Sequence, residues 1–178
     1  ASAVKTIVDE VRSRGDDAVR SYTAMFDGVT LGNLEVSRDE FNRAEERLPR
    51  KLNDAIANAA ESIRSFHTAQ IPRTIEIETR PGVLCRREWR PIPRVGLYAP
   101  GGSAPLLSTV LMLGIPAALA GCPKVVLCSP PNKSGEIEPA ILHAAKKAGV
   151  HRVFKVGGAQ AIAAMAAGTG TIPKVDKI

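Results

Sequence analysis

The chain has 178 residues, 44% of them hydrophobic and 24% charged, enough to bury a core and unlike a disordered tail or a fibrous repeat. Every apolar run stops short of the roughly 20 residues a bilayer helix needs, the longest being broken by Gly114 and Pro116, so no membrane span is expected. The formal charge of +6 sits mainly in the second half, where 8 Lys/Arg stand against 3 Asp/Glu with only Tyr98 and Phe154 as aromatics; that argues against nucleic acid and for an anionic small ligand.

From residue 2 to about 70 the apolar period is helical. Val4, Ile7, Val8 and Val11 form one face, Gly15 interrupts, and Ala18, Val19, Tyr22, Met25 and Phe26 form another. Ser37 with Glu40 three residues later predicts a capping box opening a helix through Phe41, Ala44 and Leu48. Pro49 fits the first turn of the next helix, whose expected buried stripe is Leu52, Ile56, Ala59, Ile63 and Phe66. His67 near its end reads as structural, because exposed carbonyls favour such a side chain there. The period then becomes two: Ile75 and Ile77 alternate with Glu76 and Glu78, Arg80-Pro81-Gly82 predicts a turn, and residues 83–89 predict the returning strand.

From Arg94 onward the pattern is that of βαβ units. Short β-branched runs at 95–98, 124–128 and 152–156, with helix-like segments at 105–120, 138–147 and 159–167, predict a parallel sheet with right-handed crossovers. A fourth strand is expected to start near Lys174. The fold class is therefore α/β: a helical region with a small β-hairpin over 1–94, then a Rossmann-like parallel βαβ sheet, incomplete, over 95–178. The sequence opens without Met and closes on Val-Asp-Lys-Ile in mid-element, so it is expected to be part of something longer.

In such sheets ligands collect at the carboxyl ends of the strands, which directs attention to the loops after Tyr98, Cys128 and Val156. The first carries Gly101 and Gly102 ahead of Pro105, a residue suited to a first helical turn. The third carries Gly157 and Gly158, with Gln160 able to donate and accept hydrogen bonds. Two diglycine turns on one sheet edge can cradle a phosphate-bearing cofactor, since backbone amides are left open to close approach. The alternative is that the glycines serve only tight turns and close helix packing. Neither G-x-G-x-x-G nor G-x-x-x-x-G-K-[ST] occurs.

The cysteines, Cys85, Cys122 and Cys128, are odd in number and the first thirty residues lack an apolar leader core, which points to a reducing cytoplasm. His67, His143 and His151 form no H-x-x-x-H and the cysteines no C-x-x-C, so no metal site is expected from this chain. Most of the lysines of the second half read as solvated faces.

The run from Arg94 through Tyr98-Ala-Pro-Gly-Gly-Ser to Met112, the stretch Ala120-Gly-Cys-Pro-Lys-Val-Val-Leu-Cys-Ser-Pro-Pro131, Val156-Gly-Gly-Ala-Gln160, and Pro173-Lys-Val-Asp-Lys-Ile178 together resemble histidinol dehydrogenase. The similarity extends upstream through Arg14-Gly-Asp-Asp-Ala18, Phe66-His-Thr-Ala-Gln70 and Pro81-Gly-Val-Leu-Cys85. The resemblance implies a homodimeric enzyme that oxidises L-histidinol to L-histidine through the aldehyde, with NAD and zinc as cofactors. It implies that Tyr98 and Gln160 contact NAD, with Gly101, Gly102, Gly157 and Gly158 shaping the cradle. The family's third NAD contact, an asparagine, would fall just past Ile178; its zinc ligands and its Glu-His acid/base pair would fall further downstream. No catalytic residue is therefore expected within these residues. The polar stretch 132–136 is expected to be a longer surface loop. Two rivals remain at this point: an aldehyde dehydrogenase-like enzyme, which would require one cysteine to be a low-pKa thiolate, and a non-catalytic nucleotide-binding α/β module.

Overall fold

The computed structural model describes residues 2–101 and 106–178. Helices α1 (Ser2–Arg14) and α2 (Asp16–Asp27) carry the two expected apolar faces. They part at Gly15, whose φ of 58° disfavours any side chain. The Asp16 carboxylate then accepts hydrogen bonds from the Thr171 amide at 3.3 Å and the Thr171 hydroxyl at 2.6 Å, tying this junction to a loop far along the chain. Burial raises the Asp16 pKa, but the bonds from Thr169 and Thr171 outweigh it and leave the carboxyl below its ordinary value.

Ser37 caps α3 (Arg38–Arg43), its Oγ accepting the Glu40 amide at 3.2 Å. The helix stops at Arg43 rather than running through Leu48, because residues 44–48 close into turns ahead of Pro49, and a residue before proline is driven out of the α region. Pro49 is the N-cap of α4 (Arg50–Thr68), not a first-turn residue, and its carbonyl accepts the Leu52 and Asn53 amides. The buried stripe of α4 runs Leu52, Ile56, Ala60 and Ile63; Ala59 and Phe66 face solvent, contrary to the sequence reading, because the stripe steps by four before it steps by three.

Strands β1 (Ile75–Arg80) and β2 (Val83–Arg87) form the antiparallel hairpin, with Gly82 at a φ of 77°. The second strand ends at Arg87, two residues earlier than expected. Both strands are exposed along their whole length.

The parallel sheet comprises β3 (Arg94–Tyr98), β4 (Lys124–Ser129) and β5 (Arg152–Lys155) in the order β3-β4-β5. Three helices follow the strands in turn: α5 (Leu107–Leu119), α6 (Pro139–Lys147) and α7 (Gly158–Ala167). The period-two alternation of the strands divides the core in two. Val95, Leu97, Leu127 and Val153 pack against α4, α5 and α6 on one face. Val126, Cys128 and Phe154 pack on the other face, where α1 and α2 cover α7.

Both free edges of the sheet are extended. Residues 34–36 add antiparallel to β5, with the Val36 amide bonded to the Val153 carbonyl at 2.9 Å and the Lys155 amide to the Leu34 carbonyl at 2.7 Å. Lys177 bridges Val95 in parallel on the outer side of β3, so the pairing expected near Lys174 begins at Asp176 instead. The chain thus crosses from one outer edge to the other after β5. In doubly wound sheets that reversal beside the first strand marks the ligand crevice. Among the described residues no helix is long and apolar enough to cross a membrane.

Candidate functional site

The carboxyl ends of β3 and β4, with the turn after β5, open onto a cleft of about 710 Å³, within the usual range for a cofactor site. Tyr98, Gly101 and Gly158 line it. Gly157 and Gln160 do not, and Gly102 lies outside the described residues.

The two diglycine turns meet across a single residue, Pro130. A Cβ on Gly101 would lie 2.5 Å from Pro130 Cγ, and one on Gly157 would lie 2.6 Å from Pro130 Cβ. Close packing is thus a sufficient physical reason for both glycines. Gly158 is held differently: its φ is 61°, and its amide donates to the Tyr98 hydroxyl at 3.0 Å, joining the first loop to the start of α7. That amide belongs to the first turn of a helix, the kind of donor that attracts anions.

Gln160 is 1% exposed and turned under this turn, with Oε1 just 2.7 Å from where a Gly158 Cβ would stand. Its Oε1 is buried without a protein partner. A neutral acceptor left unmet costs about 1–3 kcal/mol, and no protein donor offsets that cost here.

Sequence reasoning pointed to the loop after β4 and read residues 132–136 as a longer surface loop, but gave none of its residues a role in a site. Pro130, Asn132 and Lys133 all line the cleft, and from the opposite side so do Phe26 and Asp27 of α2. The stretch 132–136 is a surface loop, as expected, and it is tied down by its own hydrogen bonds. Asn132 Oδ1 accepts the amides of Ser134 and Glu136 at 3.0 and 3.1 Å, its Nδ2 donates to Glu138 at 3.2 Å, and Gly135 is buried against Val29 and Leu31. Lys133 Nζ donates to the Asp27 carbonyl at 2.8 Å. Lys155, also expected in solvent, pairs with Glu40 at 2.8 Å with both side chains only 12% and 13% exposed.

No cysteine lines this cleft. Burial pushes the Cys128 thiol up to about 12, the reverse of an activated nucleophile. Cys85 is exposed on the hairpin and Cys122 partly buried beyond α5. The thiolate that the aldehyde dehydrogenase-like reading needs is thus missing from the cleft. Among the described residues no group of three His, Cys, Asp or Glu side chains is gathered for a metal, so these residues do not fit a zinc site.

His67 bonds Gln70 at 2.9 Å at the end of α4, a structural contact. His143 is 1% exposed on α6 and neither ring nitrogen has a hydrogen-bond partner. Burial holds its pKa below the ordinary 6.5, against the pull of the Glu45 carboxylate 3.8 Å away. The unfolded chain takes up a proton near that value which the folded chain refuses, so stability falls as pH drops below it. Urea midpoints are expected to fall more steeply between pH 7 and pH 5 in the wild type than in His143→Leu, which keeps the bulk without titrating; equal slopes would mean that His143 titrates alike in the folded and the unfolded chain.

The family profile of histidinol dehydrogenase matches residues 1–178. A histidinol dehydrogenase of Xanthomonas campestris pv. campestris (strain 8004) is 55% identical over 176 residues, which is 99% of this chain and 41% of the relative. One from Escherichia coli (strain K12) is 55% identical over 175 residues, 98% of this chain and 39% of the relative. The crystal structure of histidinol dehydrogenase from Elizabethkingia anophelis superposes with a TM-score of 0.96 at 48% identity, over 99% of this chain and 41% of that one. The chain spans about two fifths of the length of these relatives, and over that span sequence and backbone agree: it belongs to the histidinol dehydrogenase family.

Proposed function

We propose that this chain holds the dinucleotide in an enzyme that oxidises L-histidinol to L-histidine through the aldehyde. NAD, when bound, supplies the hydride acceptor. Zinc and the acid/base pair belong, on this reading, to residues beyond the described ones, as does completion of a homodimer in the cytoplasm.

The observation that carries the reading is the bond from the Gly158 amide to the Tyr98 hydroxyl across the cleft. It marks a helix-start donor facing the carboxyl edge of a doubly wound sheet, where phosphates bind by charge and by open backbone amides. Tyr98 is suited to pass that donor to an incoming anion and add its own hydroxyl proton to the contact. Gln160, with an unmet acceptor beneath the same turn, is suited to take a ribose hydroxyl once the turn adjusts. Gly101 and Gly157, packed on Pro130, keep the two loops close enough for one ligand to touch both.

The test is calorimetric NAD titration of the full-length protein beside histidinol-dependent NADH formation with added zinc. Gln160→Ala and Tyr98→Ala are each expected to weaken NAD binding about ten-fold while leaving the histidinol constant nearly unchanged. An unchanged NAD constant in both variants would remove the cofactor role from this cleft.

A further inference from the structure

Asp27 closes α2 in a place that costs it stability. A carboxylate at a helix C-terminus faces the negative end of the dipole. Its Oδ2 is buried and has no partner. Burial raises its pKa, and Lys133 offsets this only in part. Lys133 could have made a direct ion pair; instead its Nζ goes to the Asp27 carbonyl at 2.8 Å, bracing the end of the helix and leaving the carboxylate free. Beside it, Phe26 stacks on Tyr22 with ring centres 5.6 Å apart and is still 54% exposed, an apolar wall to the same cleft.

The position in the sheet says what such an acid would meet. In doubly wound dinucleotide sites an acid at the end of the second strand accepts the hydroxyls of the adenosine ribose, and a basic residue there accommodates a 2′-phosphate. Here the second strand is β4, and the loop that leads from it to α6 holds two acids, both engaged: Glu136 pairs with Arg47 at 2.9 Å, and Glu138, which lines the cleft, accepts the Asn132 side-chain amide at 3.2 Å. A further acid, Asp27, reaches the same cleft from α2 rather than from the sheet, with one carboxylate oxygen unpartnered. The cation that stands there, Lys133, is committed to the α2 carbonyl.

Resting on the reading of the cleft as a dinucleotide site, we propose that Asp27 is a specificity-determining residue, accepting the 2′-hydroxyl of the adenosine ribose and repelling a 2′-phosphate. Lys133 is the positioning residue that fixes the end of α2. A carboxylate gains from a neutral hydroxyl donor and is opposed by a phosphate, so one side chain both binds and discriminates.

The experiment compares dissociation constants for NAD and for its 2′-phosphorylated form, NADP, in the full-length protein and in its Asp27→Asn and Asp27→Ala variants. Asp27→Asn keeps the shape of the corner if Asp27→Ala disturbs the fold. NAD binding is expected to weaken about ten-fold in either variant, and the preference for NAD over NADP to shrink by a further factor of about ten. Lys133→Ala is expected to weaken NAD binding several-fold without changing the preference. If Asp27→Asn leaves both constants at wild-type values while Tyr98→Ala still weakens NAD, the inference falls and the dinucleotide reading stands. If the wild-type protein binds neither form, the reading falls and the inference goes with it.

Discussion

Replacing Lys155 by Met is expected to destabilise the protein by about 3 kcal/mol, the low end of what breaking a buried ion pair costs. Lys155 ends β5, and its backbone amide holds residue 34 at the sheet edge. Its Nζ reaches Glu40, 2.8 Å away on α3, with both side chains almost out of solvent. Glu40 Oε1 already has no partner. Removing the lysine leaves a carboxylate with neither water nor a cation, whereas removing both charges leaves an apolar contact. The double variant Lys155→Met/Glu40→Met is therefore expected to recover most of the loss, in a double-mutant cycle read by urea unfolding. A single-variant cost below about 0.5 kcal/mol would mean that the pair is solvated and behaves as a surface bridge. Arg94–Asp176 and Arg152–Glu35, two-pronged pairs with side chains 33% to 48% exposed, are expected to contribute much less, because water screens both.

The same pair shows why parts of this fold were legible in the sequence and others were not. Ser37 and Glu40 announced a helix start through local spacing alone, and the cap bond forms as read. The partner that draws the Glu40 carboxylate away lies on β5, over a hundred residues later, and nothing local to either residue names the other. Periodicity found the helices and strands because a face that must be buried imprints its period on the sequence; it misjudged Ala59 and Phe66, where one residue of phase decides which side of α4 is covered. Residues 34–36 went unread because a short edge segment bonds through its backbone, which leaves no side-chain signature. For the cleft, topology named all three loops, and Tyr98, Gly101 and Gly158 line it. Phe26 and Asp27 could not be found that way, since they belong to a helix whose apolar pattern explains them without reference to the sheet. Pro130 carries no sequence signal of its role, because that role is to fill a space between two turns that exist only once the strands are paired.

That space gives the sharpest test of what the glycines do. Gly101→Ala is expected to destabilise by about 1–3 kcal/mol, since its methyl would stand 2.5 Å from Pro130 Cγ while the next atoms of the ring are 3.6 Å or more away. Pro130→Ala removes Cγ, so the double variant Gly101→Ala/Pro130→Ala should return close to the stability of Pro130→Ala alone. Gly157→Ala should not be rescued in this way. Its methyl would meet Pro130 Cβ at 2.6 Å, an atom that alanine retains, and its own φ of −106° is open to any residue, so the ring is the obstacle and not the backbone. Only Pro130→Gly should relieve it. Urea midpoints for the singles and doubles separate the cases. If Pro130→Ala rescued both glycine variants equally, or neither, the atom-by-atom contact with Pro130 would not be what excludes a side chain, and an open path to the backbone amides would become the better account of the diglycine turns. The rescued Gly101→Ala/Pro130→Ala protein carries a second readout: with the fold restored, NAD affinity near that of Pro130→Ala would show that Gly101 is a packing residue, and affinity still lost would show that its bare backbone is part of the site.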